Sequence, residues 1–570
     1  MTDGERRALR ARYEEVGQRV AAPSATRRDQ EATFDRELWR SLGESGLFAL
    51  AVPSRLGGAD TARSGLAGVL AALEGFADGS GDLGLATSVL AHLVCIEIVV
   101  RYGAPEQHTR WLPALISGEW VAAVANAEPR AGTDIMGLRS SARRSGDSLV
   151  VRGRKRSITN VGVADFALVS ARLDGVDARH AIHAIGIELP RAGAFARPIK
   201  DLVGFRTSPT GNLLMRSTVV PTSAVVGSTV GGVELFRQTF SLERLLCGAL
   251  YLAAIRRCAR RAVAFAEERE QFGSPIGKNQ YVQDRIVRMC VAEALLRPTV
   301  EQAVRDHERG ADVFGTLSVI KLHGLEAATE SAQGLMRILG SRGVRRAEPT
   351  ERMVRDLMAL AIFGGTVELH KVVLYGETVR EHRRAVEWRA VGVKVHHVPT
   401  LDASLEAALI ELVARALPGE AALRGRYYYD SAPEHVVVAT HEGRPVGLRM
   451  LVERTVLVGS RQVRIAGTGI AVEPDHQRRG VGKALTACAL QHLASRGVEL
   501  VVAFLLSDAS ERLLRSFGFC PLQATVTHDA RDGSGRVVEH ARCFVLEVTP
   551  GALISEIEAG GTLHLGVGTW

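Results

Sequence analysis

A glycine-containing turn near residue 480 is the stretch of this chain whose chemistry follows most directly from its residues. The sequence QRRGVGK at 477–483 follows a predicted strand over 463–472 and opens a predicted helix. Gly480 and Gly482 permit a tight turn whose N–H groups, with the helix N-terminus, can bind a diphosphate. Positive charge comes from three side chains of this segment: Arg478, Arg479 and Lys483. A plain strand-to-helix turn would also use two glycines, so the flanking elements matter to the prediction.

A second candidate is the acid-base pair Glu243-Arg244. Apolar residues recur at helical spacing from 242 to 253, which predicts that most of 241–280 is one long helix. Gly273 and a following proline end this helix, and Gln280 begins another. A carboxylate in a first helical turn is favoured by the helix dipole, so Glu243 has an electrostatic explanation beside a catalytic one.

Taken in order, the residues of 243–280 resemble the acyl-CoA dehydrogenase family. The shared pattern is Glu-Arg, then Arg-x-x-Phe-Gly-x-Pro-Ile, then Gln. Four other segments fall in the family's order: NAEPRAGTD at 126–134, KRSITN at 155–160, GFRTS at 204–208 and MRILGSRG at 336–343. The resemblance implies a helical N-terminal domain (1–120), a β-barrel middle domain (121–235) and a four-helix-bundle domain (236–385).

Hydrophobic periodicity along the chain follows the same order. Helical spacing dominates to about residue 120, short strands and turns fill 121–235, and long helices return from 236. Helices are predicted over 281–296, 314–339 and 351–379, with Pro298 ending or kinking the first. The charged stretch 380–389 is predicted to be an exposed junction.

The resemblance implies an FAD cofactor and a set of residues that bind it. The set is Asn126, Thr133, Thr159, Arg269, Phe272, Gln280, Gly340 and Thr366. Arg269, Phe272 and Gln280 would reach the flavin of a neighbouring subunit, which implies a homo-oligomer, a dimer or tetramer. Taken singly, Thr133 is explained as a helix N-cap and Arg269 as a helix-end charge. The expectation of FAD binding therefore depends on the whole set of residues in its order.

The expected base for thioester oxidation is displaced from its usual place in the family. Most members carry a glutamate immediately before a Gly-Thr pair, whereas this chain has Gly364 there. A subgroup that resembles isovaleryl- and long-chain-type enzymes takes the base from the Glu-Arg pair, where Glu243 stands. The resemblance thus implies Glu243 as the base, with the Gly364 N–H donating to the thioester oxygen.

Four further departures concern the flavin pocket. Ser157 stands where the family usually has a flavin-stacking tryptophan, Ala127 where it often has a threonine, Arg337 where it has a glutamine, and Ser341 where it has a glycine. The flavin pocket is therefore expected to be loosened, repurposed or empty.

The C-terminal third, 390–570, resembles the GNAT N-acetyltransferase superfamily. The resemblance rests on the strand, the Val-x-Pro and the Gln-x-x-Gly-x-Gly helix start, with a helix ending in Gly-Phe at 518–519. It implies an α/β acetyltransferase fold in which acetyl-CoA contacts Ile470, Ala471, Val472, Gln477, Arg478, Arg479, Gly480, Val481, Gly482 and Lys483. Glu473 is a candidate base for the amine, with His476 as the alternative. Leu514 replaces the tyrosine that many members use as the acid for the thiolate.

Composition limits the other classes of function. The 570 residues carry a formal charge of +8, but no basic cluster interleaved with aromatic residues suggests nucleic-acid binding. The best apolar run noted, 245–255, is far shorter than the roughly 20 residues of a membrane span. Seven cysteines without disulfide-like or metal-like spacing predict no metal site and a reducing, cytoplasmic location.

These observations favour a bifunctional flavoenzyme and acetyltransferase of specialised metabolism. One part would oxidise an acyl or aminoacyl thioester of CoA or a carrier protein, and the other would acetylate an amine. One alternative makes the flavin part an oxidase or N-oxygenase. Another makes it a non-catalytic oligomerisation scaffold for the acetyltransferase.

Overall fold

The computed structural model describes residues 1–59, 65–132, 134–174, 182–227, 232–389, 391–418, 423, 425–428, 431–504, 508–530, 535–539, 542–548 and 553–567. The chain divides into two compact units. The first comprises Met1–Glu308 and Val313–Tyr375, and the second comprises Arg309–Asp312 and Gly376–Trp570.

The first unit begins with helices. Their bounds are Asp3–Val16 (α1), Ala22–Glu31 (α2), Arg36–Glu44 (α3), Gly65–Ser80 (α4), Leu83–Tyr102 (α5) and Pro105–Ile116 (α6). Polar side chains set several helix starts: Asp35 accepts from two N–H groups of α3, and Asp82 accepts from Leu85 N in α5. The packing of α4 against α1 and α7 places these helices in one apolar core.

Helix α5 has the length and composition of a membrane span, with a mean hydropathy of 2.1 in its most apolar window. Of that window, 89% is buried inside the protein, so α5 serves here as a core helix. The sequence analysis missed this segment because His92 and Glu97 interrupt the apolar run.

The middle of the first unit is a sheet. Its strands are Ala122–Ala125 (β1), Ser141–Ser145 (β2), Ser148–Ile158 (β3), Phe166–Leu173 (β4), Ile182–Glu188 (β5), Ala194–Pro198 (β6), Gly211–Pro221 (β7) and Val225–Val226 (β8). The hydrogen-bonded order is β6-β7-β3-β2-β4-β5-β8, and β1 pairs with β4 in parallel. The loops after β1 and at the end of β3 are those that the sequence analysis associated with the flavin.

Long helices follow the sheet. They are Gly232–Glu268 (α7), Gln280–Glu308 (α8), Phe314–Leu339 (α9), Pro349–Leu360 (α10) and Val367–Arg389 (α11), and the first unit contains α11 only as far as Tyr375. Helix α7 packs against α8 and α9 through Leu245, Leu246 and other residues that are almost fully buried. A short hairpin of Glu270–Gln271 (β9) and Ser274–Pro275 (β10) joins α7 to α8.

Of the two outcomes predicted for Pro298, an end to the helix does not occur, because α8 continues through it to Glu308; its missing N–H costs one hydrogen bond, and packing against α7 and α9 supports the helix. Two other local predictions differ from the structure. The predicted helix 351–379 is two helices, because Gly364 and Gly365 take positive φ angles between α10 and α11. The predicted junction 380–389 is helical, as part of α11.

The second unit is built on a seven-stranded mixed sheet. Its elements are Val391–His397 (β11), Ala403–Ala416 (α12), His435–His441 (β12), Arg444–Val458 (β13), Arg461–Val472 (β14), Val481–Ser495 (α13), Leu500–Phe504 (β15), Asp508–Arg515 (α14), Cys520–Pro521 (β16), Thr525–Asp529 (β17), Arg536–Glu539 (β18), Cys543–Glu547 (β19), Leu553–Gly560 (α15) and Thr562–Val567 (β20). The order of the main sheet is β11-β12-β13-β14-β15-β19-β16, and β18-β17-β20 form a smaller sheet.

Both faces of the main sheet are covered. Val437 and Ala439 pack on the side of α13, whereas Val436 and Val438 pack on the side of α12. This explains the continuous apolar run of β12, because a strand covered on both faces does not alternate apolar and polar residues. The expected fold class is confirmed for both units.

Candidate functional site

A cavity of about 530 Å³ lies between the sheet and the long helices of the first unit. Its wall combines the loop after β1, the end of β3, the start of α7 and the loop between α10 and α11. It brings together five of the predicted catalytic and flavin-binding residues: Asn126, Thr159, Glu243, Gly364 and Thr366.

Glu243 lies in the cavity wall on α7, with Arg244 next to it. Burial raises the pKa of the Glu243 carboxyl to about 7, although the positive charges of Arg244 and Lys321 act to lower it. Such a carboxylate can hold a proton taken from a carbon acid near neutral pH. Since its raised pKa comes from burial beside a ligand-sized cavity, Glu243 is well suited to act as a base.

Gly364 faces this carboxylate from the loop between α10 and α11. A Cβ atom on Gly364 would lie 3.8 Å from both Cδ and Oε1 of Glu243. Gly364 and Gly365 have φ angles of +69° and +99°, which a residue with a side chain rarely adopts. The space that a side chain at 364 would enter is therefore next to the carboxylate of Glu243.

Three side chains hydrogen-bond to backbone carbonyl oxygens at the Gly364 loop. Arg244 Nε donates to the Gly364 carbonyl oxygen at 3.1 Å, and a ring nitrogen of His370 lies 3.3 Å from the same oxygen. Lys321 Nζ donates to the carbonyl oxygens of Leu360 and Phe363, both at 2.5 Å. Lys321 and His370 are fully buried, and burial lowers the pKa of each. The sequence analysis missed both, because a single Lys or His on a helix carries no pattern.

Arg244 has a second role available in the cavity wall. Its guanidinium carbon lies 4.7 Å from the centre of the Phe314 ring, which is a cation–π contact. The Nη1 atom is buried and has no hydrogen-bond partner within the described part of the chain. An unsatisfied cationic donor at a cavity fits a ligand oxygen.

A buried ion pair fixes the loop after β1. Lys155 Nζ donates to Glu128 Oε1 at 2.9 Å and to the Asn126 carbonyl oxygen at 3.1 Å. Burial raises the pKa of the Glu128 carboxyl, but hydrogen bonds from Ser140, Arg139 N and Lys155 hold it below its usual value. Burial lowers the pKa of Lys155 to about 8. These buried bonds fix the loop on the side that faces the protein interior. Its other side lines the cavity.

The residues around this loop fit a flat ring system. A Cβ atom on Gly132 would meet no atom within 4 Å, so the backbone there can be approached closely. Ser157 lines the same cavity with a φ angle of +56°. Asn126 and Thr159 provide polar side chains beside it. The expectation of a loosened, repurposed or empty flavin pocket stays a prediction.

The other predicted flavin residues lie elsewhere. Thr133 lies outside the described residues. Arg269, Phe272, Gln280 and Gly340 are exposed and are not part of the cavity wall. Phe272 is fully exposed at the tip of the β9–β10 hairpin, with a φ angle of +52°. One subunit therefore does not bring these four residues to its own cavity.

The segment 204–208, which the sequence analysis noted, is bonded to α10. The N–H of Phe205, in the segment 204–208, donates to Asp356 Oδ1 at 2.7 Å. Asp356 is buried, and its desolvation, together with the nearby Asp82, raises the pKa of its carboxyl to about 7. Arg355, beside it, is paired with Asp29 at 2.7 Å. This cluster joins the sheet to α10 just before the Gly364 loop.

In the second unit, the turn 477–482 has the features of an anion site at the start of α13. Gly480 is the N-cap residue with a φ angle of +87°, and within the described part of the chain no side chain caps the first turn of the helix. The side chain of Gln477 donates to the Val472 carbonyl oxygen at 3.0 Å, which ties the turn to β14. Arg478 and Arg479 are exposed, and Lys483 is half-buried. Free helix N–H groups beside three cations fit a diphosphate.

Strand β14 provides a second feature of this site. It pairs with β15 only from Ile465 to Gly467, whereas β15 continues to Phe504 beside β19. Ile470, Ala471 and Val472 pair with β13 on one side only. In the described residues, the edge of these three residues towards β15 has no strand partner, so its backbone groups can bind an extended ligand.

The structure is less favourable to the acid and base of acetyl transfer. Glu473 Oε1 accepts from Arg415 Nε at 2.9 Å, and Oε2 lies 3.5 Å from His476 Nδ1. Leu514 is 4% exposed and packs in the core with Phe519 and Phe544. Glu473 is thus held by an arginine, and its role as base stays a prediction.

Comparison with known proteins agrees with this division. The family models for the N-terminal, middle and C-terminal domains of acyl-CoA dehydrogenases match residues 3–119, 123–218 and 231–375. The model for GNAT-family acetyltransferases matches 407–519. The expected combination of the two families is thereby confirmed.

Among curated proteins, the mitochondrial isovaleryl-CoA dehydrogenase of Oryza sativa subsp. japonica is 31% identical over 366 residues, covering 64% of this chain and 88% of that protein. Among solved structures, butyryl-CoA dehydrogenase of Megasphaera elsdenii has a TM-score of 0.63 at 26% identity, over 66% of this chain and 99% of that one. The prolyl acyl carrier protein oxidase AnaB also has a TM-score of 0.63 at 26% identity, over 66% of this chain and 100% of that one.

The matches in the first unit extend over all three domains of one family, and those domains supply the walls of the cavity that contains Glu243 and Gly364. This chain therefore belongs to the acyl-CoA dehydrogenase family of oxidoreductases, and it carries a GNAT acetyltransferase domain in its C-terminal part.

Proposed function

We propose that the first unit oxidises an acyl or aminoacyl thioester, with Glu243 as the base. The observation that carries the proposal is the approach of the Glu243 carboxylate to Gly364 at the wall of a ligand-sized cavity. The family implies FAD as the cofactor, and Asn126, Ser157 and Thr159 would lie against it. Bound FAD would supply the acceptor for a hydride from the substrate.

The protein's part in the reaction is to position the thioester and to move one proton. The carboxylate of Glu243 would take the proton from the carbon α to the carbonyl, while the β carbon loses a hydride and a C=C bond forms. The Gly364 N–H would donate to the carbonyl oxygen, on which negative charge develops. Arg244 and Lys321 fix the loop that presents this N–H, so the donor needs no reorganisation during the reaction.

The substrate is a thioester of CoA or of a carrier protein. The similarity to the prolyl acyl carrier protein oxidase supports including aminoacyl groups and carrier proteins. An oxidase reaction, with O2 as final acceptor, is the second candidate that this relative favours. The two differ in a direct way, since an oxidase consumes O2 at each turnover with no added acceptor.

We propose that the second unit transfers acetyl from acetyl-CoA to an amine. The turn 477–482 would bind the diphosphate, and the free backbone edge of 470–472 would bind the pantetheine arm. The amine would attack the acetyl carbonyl and the C–S bond would break. The proton that the amine nitrogen loses would pass through water to the thiolate, because Leu514 cannot donate one.

The exposed positions of Arg269, Phe272 and Gln280 support a homo-oligomer in which these residues reach a neighbour's cofactor. We propose a dimer or tetramer, and sedimentation analysis of the full chain tests it. None of the seven cysteines forms a disulfide in the described residues, which supports the proposed cytoplasmic location.

The test of the oxidation is anaerobic flavin reduction in the purified full chain. After the flavin spectrum is recorded, acyl-CoA and aminoacyl carrier-protein thioesters are mixed with the protein and bleaching is followed. Glu243→Gln should retain bound flavin and reduce it about 10²-fold to 10⁴-fold more slowly. Unchanged reduction by this variant would remove Glu243 from the role.

The acetyl transfer is tested separately through CoA release from acetyl-CoA in the presence of a panel of amines. A protein that binds no flavin but releases CoA would support the scaffold alternative for the first unit. A protein that binds flavin but neither binds acetyl-CoA nor releases CoA would contradict the proposal for the second unit.

A further inference from the structure

Two imidazoles and a carboxylate converge in the second unit at the end of α13 opposite the anion site. His435 begins β12, Glu453 lies on β13, and His492 lies in the last turn of α13. One ligand atom from each of the three side chains lies within 4.8 Å of the others. A rise of 1.5 Å per helical residue puts His492 roughly 18 Å along α13 from Gly480. The cluster is thus separate from the proposed acetyl-CoA turn.

The sheet and the helix account for this convergence. His435 pairs with Leu451, and Glu453 is two residues further along β13, so it lies on the same face and diagonal to His435. His435 also shares its face with Val437, which packs in the core beneath α13. The last turn of α13 then brings His492 to that face, with the His435 and His492 rings 4.6 Å apart.

The imidazoles have nitrogen atoms without partners. His435 Nδ1 and His492 Nε2 are buried and have no hydrogen-bond partner among the residues that the structure describes. His435 is 9% exposed, and its Nδ1 lies 3.8 Å from Glu453 Oε1, which is too far for a hydrogen bond. Burial lowers the pKa of both histidines, so their nitrogen lone pairs are free at neutral pH.

Two arginines hold the carboxylate. Arg496 Nε donates to Glu453 Oε1 at 2.6 Å, and Arg464 Nη2 donates to Oε2 at 2.9 Å. Each oxygen keeps a second lone pair, so these bonds orient the carboxylate without using up its capacity as a ligand. The arginine side chains are 40% and 45% exposed, which lets solvent screen their repulsion of a cation. The exposed His397 ring lies 5.1 Å from that of His435.

We propose that His435, Glu453 and His492 form a Zn²⁺ site that ties β12, β13 and α13 together. Two neutral imidazoles and one carboxylate are a ligand set that zinc uses, with water in the fourth position. The sequence predicted no metal site, because these three residues lie on separate elements and show no short spacing. The neighbouring arginines predict binding weaker than that of a dedicated structural zinc site.

The test uses the full chain, freed of metal by a chelator and then desalted. Zn²⁺ is titrated by calorimetry, and thermal unfolding is recorded with and without Zn²⁺. The wild type should show a saturable site, and Zn²⁺ should raise its Tm. His492→Ala removes a half-exposed ligand and should weaken this site at least about tenfold, as loss of a supporting group already does in metal sites. The Tm increase should disappear with it.

The control is His396→Ala, since His396 is half-buried on β11 next to His397 but alternates to the opposite face. This variant should bind Zn²⁺ as the wild type does. The exposed Cys290 contributes equally in all three proteins, so it cannot produce the difference. Equal zinc binding by His492→Ala and the wild type, or no zinc binding by the wild type, would overturn the proposal.

Discussion

Arg244, the residue next to Glu243, donates from Nε to the carbonyl oxygen of Gly364 at 3.1 Å. The proposed base and the proposed donor to the thioester oxygen are therefore joined through one side chain, whose guanidinium also contacts the Phe314 ring. A shift of α7 would move both groups together. This link explains why an arginine follows the glutamate, which the helix-dipole explanation of Glu243 does not.

The pH dependence of flavin reduction should follow Glu243. Burial raises the pKa of its carboxyl to about 7, and a base must be deprotonated to act. The rate constant for flavin reduction should therefore rise from about pH 6 to about pH 8 and then level off. Stopped-flow reduction over this range measures it. Glu243→Gln should lose this rise of the rate constant with pH, called here the basic limb. A basic limb that persists in the variant would mean that another group titrates.

Lys321→Met should shift the same limb to higher pH. The Lys321 charge lowers the pKa of the Glu243 carboxyl, so its removal favours the protonated form. It also leaves the carbonyl oxygens of Leu360 and Phe363 without their donor, which should cost about 1–3 kcal/mol of stability. Lys278→Met, at an exposed lysine, is the control and should change neither property. If Lys321→Met loses stability but the pH dependence of flavin reduction does not shift, Lys321 has only a structural role.

Asp356→Asn should make the protein more stable at higher pH. The folded-state pKa of Asp356, about 7, exceeds its value near 3.9 in an unfolded chain, so folding favours the protonated carboxyl. The stability that this gives is present at low pH and is lost as the pH rises through 7. Asparagine keeps an oxygen for the Phe205 N–H and adds no charge.

The Tm difference between Asp356→Asn and the wild type should consequently increase from about pH 4 and level off above about pH 7. Asp284→Asn, at an exposed position on α8, serves as the control with a constant difference. A constant Tm difference for Asp356→Asn would show that Asp356 does not titrate in this range.

The sequence predicted the ordered motifs well because they are contiguous. The helix 314–339 was predicted with the bounds that α9 has, since its apolar periodicity is unbroken. The contacts of Lys321 and His370 with the Gly364 loop could not be predicted, because they depend on the tertiary fold and no local sequence pattern marks them. The helix break at Gly364 was missed for a related reason: its positive φ angle depends on the tertiary contacts of the loop.

Gly480 lies in the turn that is proposed to bind acetyl-CoA. Gly480 has a φ angle of +87° at the start of α13, and any side chain there is strained by about 1–2 kcal/mol. Gly480→Ala should therefore distort the turn and weaken acetyl-CoA binding about tenfold, measured by calorimetry on the full chain. Gly443→Ala is the matched control, because Gly443 has a φ angle of +78° with open space around its Cβ position and lies in the hairpin that joins β12 to β13. Both variants should lose similar stability, yet only Gly480→Ala should lose affinity. Equal affinity in the two variants would mean that the diphosphate does not bind at this turn.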